Sequence, residues 1–163
     1  MKKTDIISQR IFTPSAIIQK VAQWRVYDKK IAFTNGVFDI LHKGHIFSLS
    51  RAAAEADYLI VGLNSDTSTK RLKGETRPVN NEESRAFIVA ALIMVDAVVI
   101  FEEDTPLELI SSIMPDVLVK GGDYSIEQIA GAKEVIANGG RVVINPIVEG
   151  FSTTVIIDKG KKT

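Results

Sequence analysis

Short, nearly continuous apolar runs alternate along this chain with stretches in which apolar residues recur every three or four positions. The runs are Ile31-Ala32-Phe33, Tyr58 to Leu63, Ala97 to Phe101, Val117-Leu118-Val119 and Arg141 to Ile144. Their length and near-continuous apolarity predict strands buried on both faces of a parallel sheet. Between them, Ile17, Ile18, Val21 and Trp24 predict an amphipathic helix opened by Pro14 and capped by Thr13. Ile46, Leu49, Ala53 and Ala56 predict a second helix, from about Gly44 to Ala56. Phe87, Ala91 and Met94 predict the inner face of a third, with Asn80 or Asn81 as its cap. Leu109 and Ile113 mark a fourth between Pro106 and Pro115, a fifth runs from about Ile126 to Ala137, and a short last helix follows Ser152-Thr153-Thr154. The polar segment from Asn64 to Pro78 shows no apolar face and is expected to be a long loop, a feature that inside a compact domain is usually functional or disordered.

Strands that alternate with helices in this way predict an α/β fold: a three-layer α/β/α sandwich around a parallel, five-stranded, Rossmann-like sheet with right-handed crossovers. The whole chain, 1–163, is expected to form a single domain, with 1–29 as a helical extension packed on it. In such sheets ligands bind beyond the carboxyl ends of the strands, where the strand order reverses. The polar clusters after the first, second, fourth and fifth runs would share that edge and could converge on one cleft.

Composition narrows the choice of ligand. Twenty basic and twenty acidic side chains cancel, which argues against a general nucleic-acid or membrane-surface binder and leaves room for a local basic patch serving one small anion. With no cysteine, disulfides, thiolate metal sites and a cysteine nucleophile are excluded. The start Met1-Lys2-Lys3-Thr4-Asp5 meets Ser8-Gln9-Arg10 too soon to provide a signal-peptide core, and no apolar run is long enough to span a bilayer. A cytoplasmic location is expected.

The candidate chemistry centres on Thr34-Asn35-Gly36-Val37-Phe38-Asp39-Ile40-Leu41-His42-Lys43-Gly44-His45. This stretch joins the first strand to a helix, so its backbone amides and the positive end of the helix face whatever sits above the strand. His42 and His45 add donors that can follow phosphate oxygens as charge builds up. Lys70, Lys73 and Arg77 lie in the expected loop, where cations could close over phosphates, and Arg85 follows as either a further substrate contact or a surface ion-pair partner. Asp39 either orients the turn or helps to hold Mg²⁺. Lys120-Gly121-Gly122-Asp123 allows close backbone approach to a ligand, while Ser152, Thr153 and Thr154 can both cap the last helix and present hydroxyls to phosphates.

The first of these motifs, together with Gly150-Phe151-Ser152-Thr153-Thr154, resembles the HxGH nucleotidyltransferase superfamily in its cytidylyltransferase-like branch. Lys70-Arg71-Leu72-Lys73-Gly74-Glu75-Thr76-Arg77-Pro78-Val79, Phe101-Glu102-Glu103-Asp104-Thr105-Pro106 and Lys120-Gly121-Gly122-Asp123-Tyr124 are similar to the bacterial D-glycero-β-D-manno-heptose 1-phosphate adenylyltransferases, in a form standing apart from the sugar kinase to which that activity is often fused. The resemblance implies transfer of AMP from ATP to the sugar 1-phosphate, giving ADP-heptose for lipopolysaccharide core assembly. It implies His42, His45 and Lys73 as catalytic groups. Asn35, Gly36, Phe38, Gly44, Lys120, Gly121, Asp123, Ser152, Thr153 and Thr154 would bind the nucleotide, and Asp39, Lys70, Arg77 and Arg85 the substrate. Mg²⁺ would be held mainly by ATP phosphates, with no protein ligand, and the relatives suggest a homo-oligomer. Glycerol-3-phosphate cytidylyltransferases carry an arginine where this chain has Ile147, which weighs against a cytidylyl reading. A cytidylyltransferase acting on glycerol 3-phosphate or another polyol or sugar phosphate, and an inactive nucleotide-binding module, are the alternatives.

Overall fold

The computed structural model describes residues 4–146 and 153–160. Six parallel strands form one sheet: β1 (Ile11–Phe12), β2 (Ile31–Gly36), β3 (Tyr58–Asn64), β4 (Ala97–Phe101), β5 (Val117–Gly121) and β6 (Arg141–Asn145), in the order β1-β4-β3-β2-β5-β6. The five runs of the sequence are all strands. The sixth, β1, has two residues and pairs with the outer edge of β4 through Ile11 opposite Val98 and Phe12 opposite Val99. It is too short to leave a periodic signature. The segment before residue 29 therefore does more than pack on the domain, because it contributes an edge of the sheet.

Alternate residues of each strand feed two separate cores, as the pleat requires. On one face Ile31, Phe33, Ile60, Val99 and Leu118 meet Ile17, Val21 and Trp24 of α1 (Pro14–Val26), Ile110 and Ile113 of α5 (Leu107–Ile113) and Val135 of α6 (Ala132–Ala137). On the other, Ala32, Leu59, Val61, Val98 and Val119 meet Leu49 and Ala52 of α2 (Lys43–Ala53) and Ala86, Val89 and Ala90 of α4 (Glu82–Ala90). These are the expected three layers. The Thr13 hydroxyl caps α1 by accepting from the amide of Ala16 at 3.2 Å.

Four local expectations are corrected. The expected loop after β3 holds a helix, α3 (Asp66–Lys73), capped by Ser65, whose Oγ accepts from the amide of Ser68 at 3.1 Å. Its buried residues are Ser68 and Thr69, so it has no apolar stripe to read. The second helix, α2, ends at Ala53 instead of Ala56; Leu49 is buried as expected and Ala53 and Ala56 are half-buried against the same core, while Ala52 is buried as well. Phe87 on α4 is 47% exposed, and that helix instead buries Arg85, Ala86, Val89 and Ala90, with Asn81 as its cap. The helix expected from Ile126 is broken at Gly131 (φ +84°), where a Cβ would come within 2.6 Å of Ile110, so α6 begins only at Ala132.

The chain moves from β2 through β3 and β4 to one side, then returns to lay β5 and β6 on the other. The connections leaving β2 and β5 diverge to opposite faces, and a crevice opens between their carboxyl ends.

Candidate active site

A cleft of about 780 Å³ occupies that crevice. Its floor comes from β2, which ends in Asn35 and Gly36 and turns through Val37, Phe38 and Asp39 into α2. Phe38 adopts left-handed backbone, φ +47°, a conformation that costs a bulky residue about 1–2 kcal/mol. Its ring folds back over Gly36, where an added Cβ would stand 2.9 Å from a ring carbon.

The turn is held open by polar ties on both sides of Phe38. Arg85, fully buried, donates Nη1 to the Val37 carbonyl at 2.6 Å, Nε to the Asn80 carbonyl at 2.9 Å and Nη2 to Asp66 Oδ1 at 2.8 Å. Asp39 accepts from the amides of Val79 (2.9 Å) and Asn80 (3.0 Å) and from Arg77 Nε (2.7 Å), and Asn80 Nδ2 donates back to the Asp39 carbonyl at 2.8 Å. Burial alone would raise the Asp39 pKa. The two amides and the Arg77 guanidinium outweigh it and hold the carboxyl below its usual range.

His42 is the N-cap residue of α2, and its carbonyl accepts from the amides of His45 and Ile46 at 3.0 and 3.2 Å. One helical turn therefore brings both imidazoles to the cleft. Their rings stack with centroids 3.8 Å apart, and the Phe38 ring meets His45 edge-on at 5.3 Å. Burial, then the neighbouring His42 and Lys73, pushes the His45 pKa down to about 4, and burial lowers that of His42. His45 is thus a neutral imidazole at neutral pH. Its buried Nδ1 has no hydrogen-bond partner among the described residues.

Among the described residues, three cations reach the same space: Lys73, Arg77 and Lys120. Lys73 ends α3, where Gly74 (φ +97°) stops the helix and a basic residue suits the negative end of the helix dipole. Lys120, at the end of β5, donates to Asn35 Oδ1 at 3.3 Å and lies 5.5 Å above the Tyr124 ring, and burial lowers its pKa. Gly121 continues the wall, and Thr153 at the start of α7 (Thr153–Gly160) joins the lining while its Oγ1 donates to the Ile40 carbonyl at 3.4 Å. No group of three or more His, Cys, Asp or Glu among the described residues could hold a metal ion.

Of the residues singled out from the sequence, Asn35, Gly36, Phe38, Asp39, His42, His45, Lys73, Arg77, Lys120, Gly121 and Thr153 share this cleft. Gly44, Lys70, Arg85 and Asp123 do not line it. Lys70 and Asp123 are exposed, and Gly44 lies in the first turn of α2. Arg85 is an ion-pair partner, of Asp66, but a buried one: all three of its guanidinium nitrogens donate to protein acceptors, and it supports the turn from beneath the cleft. Ser152 lies outside the described residues, and so does the side chain of Thr154.

Asn64, Leu72, Asp104, Thr105, Pro106, Tyr124 and Gln128 to Ala130 also line the cleft, together with Val37, and none of them is among the candidates drawn from the sequence. Asp104, Thr105, Pro106 and Tyr124 stand in segments that carry the family resemblance. Gln128 to Ala130 had no such signal, because they read as helix.

Comparison with known proteins agrees with this architecture. Residues 33–159 match the family described as Cytidylyltransferase-like. The chain is 52% identical to the "Bifunctional protein HldE" of Koribacter versatilis over 95% of its own length, and 56% identical to that of Hyphomonas neptunium over 90%. It spans only about a third of those relatives, 32% and 30% of their lengths. Among solved structures, the lipopolysaccharide core biosynthesis protein from Thermoplasma volcanium superposes with a TM-score of 0.59 at 29% identity, covering 74% of this chain and 97% of that one. Pantoate-beta-alanine ligase from Francisella tularensis shares the fold, with a TM-score of 0.54 at 17% identity over 88% of this chain and 75% of its own. With a family match that takes in both the histidine turn and the start of α7, the chain belongs to the cytidylyltransferase-like family.

Proposed function

We propose that the chain transfers AMP from ATP to D-glycero-β-D-manno-heptose 1-phosphate, releasing pyrophosphate and giving ADP-heptose. The observation that carries this reading is the meeting of His42, His45, Lys73, Arg77, Lys120 and Thr153 in one cleft at the reversal point of the sheet. The high identity to the HldE proteins and the likeness to the lipopolysaccharide core biosynthesis protein of Thermoplasma volcanium support the choice of substrate.

In the proposed reaction a phosphate oxygen of the sugar attacks the α-phosphorus of ATP in line, and the bond from that phosphorus to the bridging oxygen breaks as pyrophosphate leaves. Such a step needs positioning and charge stabilisation more than covalent help. His42 and His45, neutral before substrate arrives, donate N–H groups to the α-phosphate as its oxygens gain charge. Lys73 and Arg77 neutralise the phosphates from the α3 side, and Lys120 does so from β5. Thr153 and the N-terminus of α7 receive the β- and γ-phosphates. The nucleoside rests against the Lys120-Gly121 edge.

Of the carboxylates that line the cleft, Asp39 is saturated by Arg77 and two amides, and Asp104 gives one oxygen to Arg71, so no cluster of carboxylates among the described residues faces the phosphates. The donor set therefore suits a Mg²⁺ carried on phosphate oxygens and water, where it would offset the charge of the triphosphate. No helix among the described residues is long and apolar enough to cross a membrane. A cytoplasmic homo-oligomer belongs to the same proposal, and light scattering of the purified protein tests the assembly.

Pyrophosphate release decides the reaction. ATP with heptose 1-phosphate should outpace every other pairing. Faster turnover of CTP with glycerol 3-phosphate, or ATP binding with no turnover on any sugar phosphate, overturns the reading.

A further inference from the structure

The cleft has two unlike ends. The imidazoles stand at the start of α2, Lys120 at the end of β5, and Lys73 and Arg77 at the end of α3 and just beyond it, whereas the far wall is the turn between β4 and α5, with Asp104, Thr105 and Pro106. In the strand order β4 is two places from β2, which sets this turn about 10 Å across the sheet from the histidine strand. Lys120, Gly121, Tyr124 and Thr153 occupy the opposite side. A nucleotide resting there leaves the β4 side to the second substrate.

Asp104 is unusual for a site built to take phosphates. A carboxylate repels phosphate, and Asp39, the other aspartate in the lining, is saturated by its own partners. Asp104 gives one oxygen, Oδ1, to Arg71 Nε at 2.6 Å. Its Oδ2 takes no hydrogen bond among the described residues. The turn is also fixed in place: Arg71 Nη2 donates to the Glu102 carbonyl, Ser68 Oγ donates to the Glu103 carbonyl at 2.8 Å, and the Ser65 amide donates to the Phe101 carbonyl at 2.9 Å. Beside it, Asn64 donates Nδ2 to Ser68 Oγ at 3.0 Å and keeps its own carbonyl oxygen as an acceptor. Arg71 takes up one oxygen of Asp104, and the acceptors that remain on this tied-down surface fit the hydroxyl donors of a sugar better than a second phosphate.

We propose that the Asp104-Thr105 turn reads the hydroxyl groups of the acceptor sugar, and that Arg71 is a positioning residue that aims the Asp104 carboxylate. The inference rests on the adenylyl-transfer reading above. It adds the residues that distinguish one sugar 1-phosphate from another.

The test is steady-state kinetics of the full chain with heptose 1-phosphate and with mannose 1-phosphate, which lacks the terminal hydroxymethyl group, each at saturating ATP. Asp104→Asn and Asp104→Ala should lower kcat/KM for the heptose substrate by roughly tenfold to a hundredfold, the range for a lost hydrogen bond to a charged group. The KM for ATP should stay unchanged, and the preference for heptose over mannose should shrink. Arg71→Ala should shift the same parameters in the same direction by less. Asp104 is exposed, so its variants should keep their melting temperature. The proposal is overturned if both Asp104 variants leave the KM for the sugar phosphate and the sugar preference unchanged. It is also overturned if the KM for ATP rises in step, or if excess Mg²⁺ restores the variants, since Asp104 would then serve the metal. Inactivity of the unaltered chain on every sugar 1-phosphate is a separate outcome: it removes the adenylyl-transfer reading itself and this inference with it.

Discussion

The imidazole of His45 stacks on that of His42 with ring centroids 3.8 Å apart, inside a cleft where two lysines and an arginine also converge. Two neutral rings tolerate this contact, whereas two cations would repel. In the proposed reaction either ring donates to the reacting phosphate, and loss of such a donor costs about 2.7 to 4 kcal/mol of barrier. His42→Ala and His45→Ala should each lower kcat by roughly two to three orders of magnitude, measured by pyrophosphate release. Circular dichroism should show both proteins folded.

The depressed pKa of His45, about 4 against 6.5 for the free side chain, gives two pH effects of known sign. Between those values the unfolded chain binds more protons at this site than the folded one, so folding stability should fall as pH drops from about 6.5 toward 4. His45→Gln should flatten that part of the melting curve. Conversely, a bound triphosphate raises the imidazole pKa, so binding should take up protons and tighten as pH falls through the same window. Calorimetry in buffers of different ionisation enthalpy measures the uptake, which His45→Gln should reduce.

Arg85 carries the turn without touching the cleft. Arg85→Met should destabilise the fold by about 3 kcal/mol, because the carbonyls of Val37 and Asn80 lose their buried donor and Asp66 loses its cation. Urea unfolding measures the loss. A change in kcat without a change in stability would instead place Arg85 at the substrate.

Lys120 presents a partly desolvated ammonium whose acceptor among the described residues is the neutral amide of Asn35, at 3.3 Å. A group so placed is costly to the empty protein and favourable to an anion. Lys120→Met should leave the melting temperature equal or higher while weakening ATP binding at least about tenfold, in line with a lost charge-assisted contact.

The strands that build the sheet were legible because each is a nearly uninterrupted apolar run, and the histidine turn because its residues are contiguous. Two of the elements that escaped do so because they place polar groups in buried positions. The helix α3 packs through Ser68 and Thr69 instead of leucines, and Ser68 satisfies its hydroxyl on the Glu103 carbonyl. The inner face of α4 is turned toward Arg85, a residue that hydrophobic periodicity assigns to solvent. The β4 wall of the cleft depends on Arg71 reaching Asp104 across 33 positions, a pairing that no local pattern announces. β1 was too short to register.

The fold of Phe38 over Gly36 ties two positions into a single unit of variation. A methyl group at 36 would need the space that the ring already fills, at 2.9 Å, so Gly36→Ala should unseat the ring that braces His45. A smaller side chain at 38 would vacate that space yet leave His45 unsupported. Any descendant of this chain that acquired a side chain at 36 would have to trim the aromatic in the same step and find another brace for the imidazole, which makes the pair a narrow evolutionary bottleneck.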